Sequence, residues 1–114
     1  MKPSSVHRVL VIEDDEQLRF ALLRSLELAG YGARAASDGI EGLQVAREYR
    51  PSIVVCDVHL PHRDGTSVLA TLREEEGMES TQVILMTGDS DGTSQRRGMN
   101  LGADDYLAKP FTME

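Results

Sequence analysis

Three short apolar runs constrain the fold of this chain more than any other feature: Val9-Leu10-Val11-Ile12, Ile53-Val54-Val55-Cys56 and Val83-Ile84-Leu85-Met86. Each is continuous rather than alternating and rich in β-branched residues. That is the pattern of strands covered on both faces, and such strands belong to parallel sheets with crossover helices on either side. A weaker run at Tyr106-Leu107-Ala108, and a stretch from Gly32 to Ala36 placed mainly by its position in the order, give five expected strands. Helical spacing fills the intervals: Leu18, Leu22 and Leu26; then Ile40, Leu43 and Ala46; then Val68, Leu69 and Leu72; then a weaker helix from Asp91 to Leu101. Gly30 suits the position just past the first helix, and Asp38 with Glu41 resembles a capping box that opens the second. Alternating strands and helices with right-handed crossovers make a doubly wound α/β sheet, which places ligands at the carboxyl ends of its strands.

The length of 114 residues fits one domain spanning positions 1–114. Thr112-Met113-Glu114 reads as the first turn of a fifth helix that is then cut off. Its truncation is expected to leave apolar sheet surface uncovered near the first and fifth strands, with self-association, such as a homodimer, as one outcome. A formal charge of -7 opposes direct contact with nucleic acid or anionic lipid. No apolar run approaches the roughly 20 residues that cross a bilayer, so no membrane partner is expected. The lone Cys56 cannot form an internal disulfide, and the polar start from Met1 to Arg8 lacks a charged-then-apolar leader. Both features point to the cytoplasm.

The residues that follow the strands carry the chemistry. The first run leads into Glu13-Asp14-Asp15-Glu16 and the second ends at Asp57, so several carboxylates converge at one sheet edge. Like charges at short range disfavour joint ionisation unless a cation joins them, and a set of hard oxygens suits Mg²⁺ or Mn²⁺. Acids after a strand also cap helices, which is the competing reading for two or three of the four. Thr87 follows the third run, and Lys109-Pro110 closes the last strand. A transferred phosphoryl group calls for a metal, a cation such as Lys109 and a hydroxyl donor such as Thr87, with Asp57 as the nucleophile.

In order and spacing these motifs resemble the receiver domains of two-component response regulators. Val9 to Asp15 matches that family's opening, with Glu13 and Asp14 as its acidic pair; Asp57 to Pro61 and Asp64-Gly65 match the phosphoacceptor loop. Met86-Thr87-Gly88 and Gly102 to Phe111 match its remaining motifs. The resemblance implies a flavodoxin-like sheet of order 2-1-3-4-5 with helices on both faces. It further implies phosphorylation of Asp57 by a histidine kinase or phosphotransfer protein that docks beside the first helix, around Gln17 to Phe20. Asp14, Asp57 and the backbone carbonyl of His59 would bind the metal directly, and Glu13 through water. Thr87 and Lys109 would hold the phosphoryl oxygens, Tyr106 would turn inward as Thr87 moves, and Lys109-Pro110 would be a cis bond. His59 and Asp89 would tune dephosphorylation from the mouth of the site. Gly88 stands where the family often has alanine, which is expected to loosen packing beside Thr87. The similarity of Gly102 to Phe111 to regulators with a DNA-binding output points to transcription control exerted elsewhere.

Other readings make distinct demands. A phosphatase of the haloacid-dehalogenase kind needs a carboxylate two residues beyond the nucleophile, where this chain has His59. A flavodoxin-like cofactor binder needs hydroxyls and free amides after the first strand, where four acids stand. A phosphorylation-independent interaction module would typically lack one of the site residues. Cys56 is expected to be a buried hydrophobe rather than a redox centre, and His59 and His62 to be loop residues rather than a transition-metal site. Asp104 and Asp105 are expected to shape the turn before the last strand.

Overall fold

A computed structural model describes residues 7–62, 64–88 and 102–108. Its elements in chain order are β1 (Arg8–Ile12), α1 (Glu16–Leu28), β2 (Gly32–Ala36), α2 (Gly39–Tyr49), β3 (Ile53–Asp57), α3 (Gly65–Glu74), β4 (Gln82–Thr87) and β5 (Asp105–Ala108). The expected helix from Asp91 to Leu101 and the start of a fifth helix at Thr112 lie outside the described residues.

All four strand pairings are parallel, in the order β2-β1-β3-β4-β5. The expected doubly wound sheet is therefore present. Its order reverses between β1 and β3, which opens the crevice where such sheets hold ligands. Register decides what meets there. Ile12 pairs with Cys56, so Glu13 and Asp57 come next side by side, and Asp57 pairs with Met86, one residue before Thr87.

Successive strand residues point to opposite faces, and each face has its own core. Leu10, Ile12, Val54, Cys56, Val83 and Leu85 pack with Leu43 and Ala46 of α2 and Val68, Leu69 and Leu72 of α3. On the other face Val9, Val11 and Met86 pack with Leu22 of α1, and Leu18 and Leu26 are half-buried beside them. On that face an apolar groove of about 560 Å³ lies between α1 and the sheet, lined by Val11, Leu22, Leu26, Val55 and Leu107 among others. No helix among the described residues is long and apolar enough to cross a membrane.

The helix ends follow local chemistry. Asp15 caps α1 by accepting from the amides of Gln17 and Leu18, and Gly30, just past that helix, takes φ 96°, a value that favours glycine. The expected capping box at α2 forms by half: Asp38 accepts from the Glu41 amide at 2.8 Å, but the Glu41 carboxylate reaches one residue past the cap and accepts from the Ser37 amide at 2.8 Å. The apolar face of α2 differs from the expected one. Ile40 is 53% exposed, and the buried face is Gly39, Gly42, Leu43 and Ala46. Gly42 explains the rotation: a Cβ there would stand 2.5 Å from Ile12 Cδ1, so glycine lets α2 lie close on β1.

Candidate functional site

At the carboxyl edge of the sheet, Asp57 ends β3 and is buried, with 5% of its surface exposed. One carboxylate oxygen accepts from the His59 amide at 3.1 Å, which fixes the side chain against the loop that leaves the strand. The loop is pinned on both sides: the Val58 amide donates to the Met86 carbonyl at 2.8 Å, and the Gly65 amide to the Val58 carbonyl at 2.7 Å. Gly65 is required by space rather than by φ, because a Cβ there would lie 2.2 Å from the Asp57 carbonyl oxygen. Asp64 caps α3, accepting from the Ser67 amide at 2.9 Å and the Thr66 hydroxyl at 2.7 Å.

The acids after β1 divide their roles. The Asp15 carboxylate is turned to the first turn of α1 as its cap. Glu13 is fully buried and accepts from the Asp15 amide at 3.0 Å, while Asp14 is exposed. Glu13, Asp14 and Asp57 each bring a carboxylate oxygen into a group whose members all lie within 4.8 Å of one another. These are the three side chains the sequence reading chose for the metal. Three carboxylates at that range repel one another, and two of them are removed from most of the solvent that would screen them. The donor set fits a small, hard divalent cation.

Thr87, the last residue of β4, is buried at the adjacent strand end. Tyr106 in β5 is half-buried against the core that α2 and α3 cover, and its buried hydroxyl has no hydrogen-bond partner among the described residues. Lys109, Pro110 and Asp89 lie outside the described residues. At Gly88, where looser packing beside Thr87 is expected, a Cβ would meet nothing within 4 Å among the described residues, so glycine removes no contact with them. Residue 88 is exposed.

The alternative chemistries find little support. Cys56 is fully buried with its thiol 3.4 Å from the Asp57 carbonyl oxygen. Burial, and then the negative charges of Asp57, Glu13 and Asp64, push that thiol far above its ordinary range, so it stays protonated and a poor nucleophile. His59 and His62 are exposed and join no metal-capable group among the described residues. Asp104 does more than shape a turn: one oxygen accepts from the Val83 amide at 2.8 Å and from Arg73 at 2.8 Å, tying the approach to β5 to β4 and α3.

One residue of the site carries no sequence motif. Arg19, half-buried in α1, donates to the carbonyl of Glu13 at 2.9 Å and to that of Asp14 at 3.4 Å.

Comparison with known proteins bears on this arrangement. The family model described as the response regulator receiver domain matches residues 9–114. The response regulator MprA of Mycobacterium tuberculosis is 42% identical over 108 residues, which cover 94% of this chain and 46% of that protein. The chain thus spans about half the length of the curated relatives it matches. Among solved structures, the chemotaxis protein CheY4 of Vibrio cholerae superposes with a TM-score of 0.90 at 27% identity, covering 96% of this chain and 91% of that one. The receiver domain of a sensor histidine kinase from Pseudomonas aeruginosa, described with a magnesium ion coordinated in its active-site cleft, gives a TM-score of 0.86 at 27% identity, covering 96% of this chain and 89% of that one.

Proposed function

The chain belongs to the response regulator receiver family, a family of signalling switches rather than classical enzymes, and from that premise we propose that it is switched by Mg²⁺-dependent phosphorylation of Asp57. The observation that carries this reading is the convergence of the Glu13, Asp14 and Asp57 carboxylates within 4.8 Å, at the strand edge where Thr87 is also buried. Magnesium in the cleft of the Pseudomonas receiver supports the same choice of ion, with Mn²⁺ as its closest substitute.

In this mechanism an Asp57 oxygen attacks the phosphorus of a phosphohistidine on a kinase or phosphotransfer protein. The bond from phosphorus to the donor nitrogen breaks as the acyl phosphate forms. Asp14, Asp57 and the His59 carbonyl would hold the ion, with Glu13 acting through water, and a bound ion would offset the carboxylate repulsion and the charge on the phosphoryl oxygens. The Thr87 hydroxyl and the Lys109 ammonium donate to those oxygens. As Thr87 moves to the phosphoryl group, Tyr106 occupies the space beside it, which links the chemistry to the β4–β5 surface. The donor protein docks beside α1 around Gln17 to Phe20, where Phe20 is 64% exposed. His59 and Asp89 crowd the water that would hydrolyse the product, so alanine at both positions is expected to shorten the phosphoryl lifetime without changing Mg²⁺ affinity. An unaltered lifetime would remove them from that role. Output, including any transcription control, is assigned to sequence beyond this domain.

Intact-protein mass spectrometry after incubation with acetyl phosphate tests the reading. One phosphoryl group is expected on the wild type with Mg²⁺, and none without Mg²⁺ or in Asp57→Asn, whose amide is a poor nucleophile. Full labelling of Asp57→Asn would overturn the site, and no labelling of the wild type would leave a phosphorylation-independent interaction module.

A further inference from the structure

We propose that Arg19 is a positioning residue for the acidic site, acting through the main chain to aim the carboxylates of Glu13 and Asp14; the proposal rests on the reading of that site as a divalent-metal site. Arg19 stands in the first turns of α1, and helical side chains lean back toward the amino end, which carries its guanidinium over the β1–α1 turn. There it meets two consecutive carbonyls, those of Glu13 at 2.9 Å and Asp14 at 3.4 Å. The second contact is long and the first carries more of the restraint.

Each carbonyl is one end of a planar trans peptide, so holding it fixes the direction of the following N–H, which points the opposite way. Drawing the Asp14 carbonyl toward Arg19 aims the Asp15 amide away from it, and that amide donates to the Glu13 carboxylate at 3.0 Å. Drawing the Glu13 carbonyl the same way restricts rotation on either side of the peptide that leads into Asp14. The Glu13 amide is already committed to the Ala36 carbonyl at 3.0 Å. With Arg19 in place, Glu13 is held at its amide, its carbonyl and its carboxylate. Asp14 is exposed and otherwise the least restrained of the three acids, so it gains the most from a fixed backbone.

The arrangement also settles a conflict of charge. A cation this close to an acidic site would compete with a metal if it paired with the carboxylates. Spending its donors on main-chain carbonyls gives order to the turn while leaving carboxylate oxygens for the ion. Two opposed effects follow from removing it: loss of positive charge alone strengthens cation binding, whereas loss of positioning weakens it. The sign of the change therefore separates the two.

The test is calorimetric titration of Mg²⁺ into the wild type, Arg19→Gln and Arg19→Lys without any phosphodonor, beside Arg24→Gln as a control for removing a charge from the same helix. Arg19→Gln is expected to bind Mg²⁺ about tenfold more weakly, in line with other groups that orient metal ligands. Arg19→Lys, which keeps a donor without the planar fork, should fall between, and Arg24→Gln should bind at least as tightly as the wild type. Equal or tighter binding by Arg19→Gln overturns the proposal. Should that variant fail to fold, Arg19→Lys carries the test, and wild-type affinity in it is then the overturning result. A wild type that binds no Mg²⁺ would remove the metal reading and this inference with it, whereas wild-type binding with an unaltered Arg19→Gln removes the inference alone.

Discussion

At the carboxyl edge of the sheet three carboxylates converge within 4.8 Å, and two of them are buried. Towards the amino edge, several arginines are answered from within the fold. Arg8 donates to the carbonyls of Tyr49 and Arg50 at 2.9 and 2.6 Å, where the end of α2 presents the negative pole of its dipole. The guanidinium carbons of Arg8 and Arg34 lie 5.7 and 4.7 Å from the centre of the Tyr49 ring. Arg50 reaches the Glu76 carbonyl at 3.2 Å. Charges answered by neighbouring dipoles and rings are architecture. Carboxylates gathered within a few ångströms suit a divalent cation from solution, and reversible binding of that kind is what a switch can use.

The largest effect is expected at the support of the acidic edge. Gly65→Ala forces a methyl to within 2.2 Å of the Asp57 carbonyl, backbone that cannot move without shifting the nucleophile. The cost is expected to be about 3 kcal/mol, at the upper end for overpacking. Denaturant unfolding reads it, and a change below ~1 kcal/mol would show that the loop has slack after all.

At the amino edge, Arg8→Ala removes two hydrogen bonds from a charged donor to helix-end carbonyls. A loss of about 1.5 kcal/mol is expected, discounted because Arg8 is exposed. It should be the same with and without Mg²⁺. A loss that depended on Mg²⁺ would mean that the two edges are coupled.

Asp14→Asn should have the opposite sign. Removing one of three mutually repelling charges is expected to stabilise the metal-free protein by roughly 1 kcal/mol while abolishing most of the stabilisation that Mg²⁺ confers on the wild type. Thermal melts with and without Mg²⁺ distinguish the two parts. If Asp15→Asn lost more of the Mg²⁺ effect than Asp14→Asn, the assignment of capping acid and metal acid would have to be exchanged.

The sequence made the sheet legible because its inner strands are unbroken apolar runs, and parallel pairing in a doubly wound order follows from them. β2 is a weaker case, with alanine, glycine and arginine throughout, and only its place between two helices marked it. The acidic site was legible as a convergence, since strand ends in such a sheet share an edge. Four consecutive acids left their division of labour to the structure: whether a carboxylate turns to the helix, as Asp15 does, or to the sheet depends on dihedrals that residue types do not specify. Arg19 was illegible for a similar reason, because its partners are carbonyls, and carbonyls leave no mark in a sequence. Ile40 misled because an apolar residue at helical spacing normally faces the core, whereas the close fit of Gly42 on Ile12 turned the helix.

The burial of Cys56 gives the protein an internal clock. It is the only cysteine in the chain, it sits in the central strand next to the phosphoacceptor, and its surface is closed to solvent. An alkylating reagent can therefore react only with molecules in which β3 has opened. When reclosing is fast, the rate of alkylation divided by that of a free thiol is the population of the opened state. Any ligand that braces Asp57 should slow that reaction by the factor with which it favours the closed form, so occupancy of the acidic edge can be timed without a label attached to it.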